Sequence, residues 1–190
     1  HAHRGLALLH LAAGEPEAAL RHFAELVACT ADQESRRDLL GAWRAKLDFR
    51  NAVAGWSESA VEAVLDGGTA LFREKDYGAA AAAYRRALVM ARCVGADKLE
   101  ARALGNLCVA SRKAGGGLAD AIAQYRICLQ LLRQLRDGDT EKKILNQLVM
   151  CCMEAQRWKQ ALAFNTQLLP LAGNRDDVNM ISRRRDQIFA

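Results

Sequence analysis

The residues with which this chain could do chemistry are six cysteines, four histidines, a triple glycine and one short acidic run. Their spacing fits no reactive or ligating site. A loop that cradles phosphate needs Gly-Lys-Ser/Thr after its glycines, and nothing of that kind follows Gly115-Gly116-Gly117, which reads as a hairpin turn. His1, His3, His10 and His22 gather near the start, and His3 and His10 can share one side of a helix. No cysteine or carboxylate completes a set at zinc-ligand spacing. Asp137-Gly138-Asp139-Thr140-Glu141 has the opening of a calcium loop but neither the later glycine nor the closing glutamate, so it reads as a helix stop followed by an acidic helix start. No nucleophile can be paired with a base. The expectation is a protein that binds rather than catalyses, with no metal and no cofactor.

The six cysteines, Cys29, Cys93, Cys108, Cys128, Cys151 and Cys152, sit on helix faces without the spacing of a disulfide framework, and the expectation is reduced thiols in a cytoplasmic setting. Cys108 and Cys128 fall where closely approaching helices need small side chains. The elements that must carry these residues are helical. Of 190 residues, 51% are apolar, only two are proline and 6% are aromatic, a balance that points to an all-α fold. The net charge of +5 is scattered. Its longest basic run, Arg183 to Arg185, diverges around a helix, which suits a solvated face better than a nucleic-acid stripe. No window approaches the roughly 18 uninterrupted apolar residues of a membrane span. The chain opens on His1, and the helix-like stretch Val178 to Phe189 has no stop signal, so a piece of a longer protein is expected and the lack of a leader is uninformative.

One helical signature recurs at 41 and 40 residues: Ala80, Ala121 and Ala161, each three after a large apolar residue (Tyr77, Leu118, Trp158) and seven before a small or apolar one (Ala87, Cys128, Leu168). That is the period of stacked helix hairpins, each of which needs a neighbour to cover its apolar flank. The organisation expected is a hairpin over 1–31, a single helix plus an irregular or degenerate repeat over 32–58, hairpins over 59–95, 96–136 and 137–172, and a terminal helix over 173–190, either a lid or the start of another repeat. Ser59 and Glu62 form a capping box before the first regular hairpin, Lys75-Asp76 is its turn and Gly95 its end. Asp32 to about Phe49 reads as one helix with Leu39, Leu40, Trp43 and Leu47 on one face, and its return partner is poor: either a degenerate short helix lies around Val53 to Trp56 or a loop is absent there. Trp158 to Leu169 reads as a helix closed by Pro170 and Gly173, and Asp176 or Asp177 caps the last one.

The stretch Ala101-Arg-Ala-Leu-Gly-Asn-Leu-Cys-Val-Ala-Ser-Arg-Lys-Ala-Gly115, followed by Ala119-Asp-Ala-Ile-Ala-Gln-Tyr125, resembles the tetratricopeptide repeat, in particular the 40-residue variant of Pins/LGN-type adaptors. The resemblance covers residues 1–29 and 59–169. Gly68 matches the family's small mid-helix residue, where Cys108 and Val149 stand in the next two repeats. Phe23, Tyr84 and Tyr125 match its second-helix aromatic, and Asn165 departs from it. The resemblance implies a right-handed superhelical solenoid whose first helices line a concave groove. Arg102, Asn106, Arg112 and Lys113, then Lys143, Asn146, Gln147 and Met150, would be the groove residues, preceded by Glu62, Asp66, Thr69 and Phe72. Cationic heads and amides above an apolar floor suit a peptide of acidic character. A carboxylate clamp of the chaperone-binding kind would match only at Asn106 and Lys143, because Leu65, Thr69 and Gln147 replace its other residues. The function implied is an adaptor holding a partner's peptide. The alternative is a structural subunit of a ciliary or cytoskeletal assembly that uses its outer faces. RNA reading is disfavoured, since a 40-residue period is long for one base per repeat.

Overall fold

A computed structural model of the chain describes residues 2–30 and 32–189, with every side chain among them except those of Gln33 and Leu47. The expectations placed on His1 and on the Leu47 side chain therefore lie outside the described residues. Among these there are eleven α-helices and no strand, so the all-α reading holds. The chain divides into two compact units, His1–Ala103 and Leu104–Ala190.

The first unit opens with a hairpin of α1 (Ala2–Ala12) and α2 (Pro16–Ala28). Gly14 takes φ +73° in the turn, a conformation glycine reaches without a Cβ penalty, and Pro16 starts α2 where no amide donor is needed. Helix α2 buries Ala19, Leu20, Phe23, Ala24 and Val27, the single stripe of an amphipathic helix. The next segment departs from expectation. Instead of one helix to Phe49, the chain forms α3 (Gln33–Arg44), started by the Asp32 carboxylate accepting from the Ser35 amide at 2.8 Å, and α4 (Leu47–Ala52). The reason is aromatic burial. Trp43 and Phe49, six positions apart, would point about 120° apart around one straight helix. The break brings both onto Phe23, with ring centroids 4.7 Å from it in each case and 5.7 Å from each other. The short helix expected over Val53 to Trp56 is α4 instead, and residues 53–55 are turn.

Helices α5 (Glu58–Arg73) and α6 (Tyr77–Val94) form the next hairpin. Its cap is Ser57, whose hydroxyl accepts from the Ala60 amide at 3.2 Å, and the Ser59 hydroxyl meets that of Ser57 at 2.8 Å. The expected Ser59–Glu62 box does not form, because Ser57 holds the extended backbone of a cap while Ser59 is already helical. Lys75 takes φ +66° in the turn, and the Asp76 carboxylate accepts from the Ala79 amide at 3.0 Å. Gly68 has no side chain for a reason: a Cβ there would lie 2.8 Å from Tyr84 Cε1. The Tyr84 ring thus lies against α5 and its hydroxyl donates to Thr69 Oγ1 at 3.2 Å. Helix α6 ends at Gly95, φ +74°, and α7 (Asp97–Lys113) follows.

A buried charge cluster ties these helices together. Glu100 at the start of α7, 3% exposed, accepts from Arg36 of α3 at 2.5 Å and from Arg92 Nε of α6 at 3.0 Å. Arg92 also reaches Glu25 of α2 at 3.4 Å, and Arg36 approaches Asp97 at 3.8 Å. Burial pushes the Asp97 carboxyl up, opposed by the Arg36 charge. Arg44 donates to the Val94 carbonyl, which caps the end of α6.

The second unit holds the rest of α7, then α8 (Leu118–Leu135), α9 (Gly138–Glu154), α10 (Trp158–Gln167), a 3-10 turn over Leu169–Leu171, and α11 (Arg175–Phe189). Helix α10 is two residues shorter than expected, because Pro170 sits in the tighter turn that follows. Asn174, not Asp176 or Asp177, caps α11, its side chain accepting from the Asp177 amide at 2.9 Å. Within each unit the hairpins close with one backbone bond: the amides of Glu15, Asp76, Gly116 and Arg157 donate five residues back, to the carbonyls of His10, Leu71, Ser111 and Cys152. The residue before each of those donors, Gly14, Lys75, Gly115 or Gln156, has positive φ. Glycine is thus dispensable at two of the four turns.

Ala80, Ala121 and Ala161 are all buried, as are Phe23, Tyr84 and Tyr125, but Trp158 is 45% exposed. All six cysteines are free thiols, and only Cys29 is exposed. Burial pushes the Cys93 thiol up to about 12 and raises Cys108, Cys151 and Cys152 as well. The reactive form is the thiolate, so these four are packing groups.

Two neighbouring glycines of α5 test this description. Gly68→Ala should lower stability in urea unfolding by about 1–3 kcal/mol, because the new methyl must displace Tyr84. Gly67→Ala, where a Cβ meets nothing within 4 Å, should raise it by up to about 1 kcal/mol.

Candidate partner-binding face

Helix α9 buries Ile144, Leu145, Leu148, Val149, Cys151 and Cys152. The opposite side is therefore left to Lys143, Asn146, Gln147 and Met150, spaced three or four residues apart as a single face requires. Lys143 and Met150 are exposed, and Asn146 and Gln147 half-buried. Helix α7 lies beside α9 in the second unit: a Cβ on Gly105 would stand 3.4 Å from Ile144 Cδ1. Its Asn106 is half-buried and its Lys113 exposed. Asn106 has no side-chain hydrogen bond among the described residues, and its amide can offer both a donor and an acceptor to a backbone.

The remaining expected residues are committed to neighbours. Arg112 of α7 donates to Cys151 Sγ at 3.4 Å and pairs with the Glu154 carboxylate of α9. Asn146 donates to the Lys142 carbonyl at 3.0 Å and accepts from Arg184 of α11. In the first unit, Arg102 pairs with Asp66 at 2.9 Å, and both are exposed. Thr69 donates to the Leu65 carbonyl at 2.9 Å and accepts from Tyr84, and the Phe72 ring meets Tyr77 edge-on at 5.1 Å. Both are therefore occupied inside the α5–α6 hairpin. Glu62 remains exposed.

Contacts that the sequence did not show decide how α11 sits. Asn165, buried at the position expected to be aromatic, donates to the Ile181 carbonyl at 2.8 Å. A ring there could not make that bond, which accounts for the departure. Lys142 of α9 pairs with Asp177, whose carboxylate also accepts from the Gly173 amide at 2.9 Å. Arg184 was legible only as part of a basic run, and Glu154 carried no signal at all. No family model matches the chain, and no curated protein matches it either.

The Lys142 ammonium and the Gly173 amide hold the Asp177 carboxyl below its ordinary range. A depressed folded value means that its contribution is complete above the unfolded carboxylate's value near 4 and is lost as pH falls through the folded value. Urea unfolding should therefore find Asp177→Asn less stable than the wild type at pH 6, with the difference shrinking below about pH 4. A difference that stays constant with pH would remove the pairing.

Proposed function

We propose that this chain is a non-enzymatic interaction scaffold of the tetratricopeptide-repeat type, which holds a peptide segment of a partner protein against the face formed by α7 and α9. The observation that carries the reading is the row left open on that face: Asn106, Lys143, Gln147 and Met150 project from helices whose other sides are buried. Amide groups for an extended backbone, a lysine for an acidic side chain and an apolar methionine are the elements such a site needs. The superhelical arrangement belongs to the same proposal. Within each unit the neighbour contacts that tie Arg102 to Asp66 and Arg112 to Glu154 suit stacked hairpins.

Arg112 and Asn146 act in this reading as positioning groups rather than as free contacts. Lys113 lies at the end of α7, where it can meet an acidic side chain flanking the bound segment. A peptide site needs no cofactor, and the buried thiols are packing groups with raised titration. The cellular setting proposed is the cytoplasm.

One observation favours a second reading, a subunit fixed in a ciliary or cytoskeletal assembly. Helix α11 already occupies part of the α9 face through Arg184 on Asn146 and Asp177 on Lys142, so the face can be served by the chain's own flanking segment while outer surfaces make the contacts.

The double variant Asn106→Ala with Arg102→Ala separates them. Pull-down from the native source should lose the partner at least tenfold while circular dichroism and the melting temperature stay near wild type. Retention of the partner at wild-type level would reject the α7–α9 face and favour the second reading.

A further inference from the structure

In the first unit, α2, the end of α4 and α6 border a cleft of about 520 Å³. Three guanidinium groups surround it, Arg21 from α2 and Arg85 and Arg86 from α6, with Glu17 as its one acidic neighbour. The buried arginines of this unit are matched, Arg36 and Arg92 to Glu100, whereas Arg21, Arg85 and Arg86 stand exposed around one concavity. Arg21, Arg85 and Arg86 have no ion pair and no side-chain hydrogen bond among the described residues. Like charges gathered around one concavity repel, and an anion placed there removes that cost while gaining planar donor forks.

The floor adds a second requirement. Trp56, Leu20 and Val89 line it, and Trp56 and Val89 are only half-buried, so apolar surface stays wet until something covers it. A phosphate ion would satisfy the arginines and leave the indole uncovered. The cleft is large enough for one bulky side chain with its backbone.

We propose that this cleft is a second binding site, distinct from the α7–α9 face, which takes an acidic peptide segment carrying one large apolar side chain. The arginines hold the carboxylates and the apolar side chain lies on Trp56. The site is a product of residues 47–56, since α4 and the turn after it bring Trp56 to α2 and α6.

Fluorescence anisotropy of the full chain tests this with a labelled twelve-residue peptide of aspartate and glutamate around a single central leucine. The comparison arms are the same peptide with serine for leucine, a twelve-nucleotide uridine RNA, and inorganic phosphate as competitor. Saturable binding is expected to weaken at least tenfold in Arg85→Glu with Arg86→Glu, several-fold with the serine peptide, and markedly between low and physiological salt. Arg21→Glu, on a different helix, should weaken it also, which keeps the test decisive if the double variant melts early. Binding that falls in the Arg21 and Arg85–Arg86 variants but persists in Asn106→Ala belongs to this cleft, and the reverse pattern belongs to the α7–α9 face and overturns the proposal. No saturable binding, equal affinity for the serine peptide, indifference to both arginine changes, or tighter binding of the RNA would each overturn the proposal.

Discussion

A buried carboxylate must be met by cations and donors, and Glu100 is the place where this chain accepts that constraint. Its two oxygens are divided between Arg36 and Arg92. The consequence reaches well beyond one ion pair, because Arg36 comes from the segment that breaks the repeat, Arg92 from the second helix of a regular hairpin, and Glu100 from the first helix of the next. Leaving either guanidinium buried without the carboxylate would cost about 3–5 kcal/mol. The Glu100 pairs therefore specify where α3 must lie, and with it Leu40, whose Cδ1 comes within 3.0 Å of a Cβ built on Gly95.

Once α3 is fixed, the rest of the irregular segment has little choice. Trp43 must bury its indole on Phe23, Phe49 completes the aromatic cluster only if the helix breaks, and the broken piece carries Trp56 towards α2 and α6. A stretch that looks like a spoiled repeat thereby contributes a core of its own and the floor of a cleft. In the second unit Asn165 plays the comparable part. A single amide in the place of a ring anchors α11 by its backbone and brings Arg184 over Asn146, so the same substitution that weakens the repeat pattern determines how much of the α9 face stays open.

The regular hairpins were legible because their signals are local. Helical periodicity, the Lys75-Asp76 turn, the helix stop at Asp137-Gly138 and the glycine end at Gly95 can all be read within a few residues. The sequence pattern puts the cap of α5 at Ser59, two residues late, and the extended backbone that makes Ser57 the cap is not a property of the residue type. Nothing between Trp43 and Phe49 is a helix breaker, so the division of α3 from α4 comes from tertiary burial of rings. The Arg36–Glu100 pair spans 64 residues and the Arg184–Asn146 bond 38, separations at which one sequence carries no pairing information. The same limit applies to the site: the face shared by Lys143, Asn146, Gln147 and Met150 follows from spacing alone, but that Arg112 is committed to Glu154, and Thr69 to Tyr84, does not.

The most direct test is a double-mutant cycle in urea with Arg36→Met, Glu100→Gln and the two combined. If the buried carboxylate organises the first unit, the pair will be coupled by about 1–3 kcal/mol, with the combined variant much less damaged than the single losses added together. Additivity within about 0.5 kcal/mol would mean that Arg36 and Glu100 act independently and that something else positions α3.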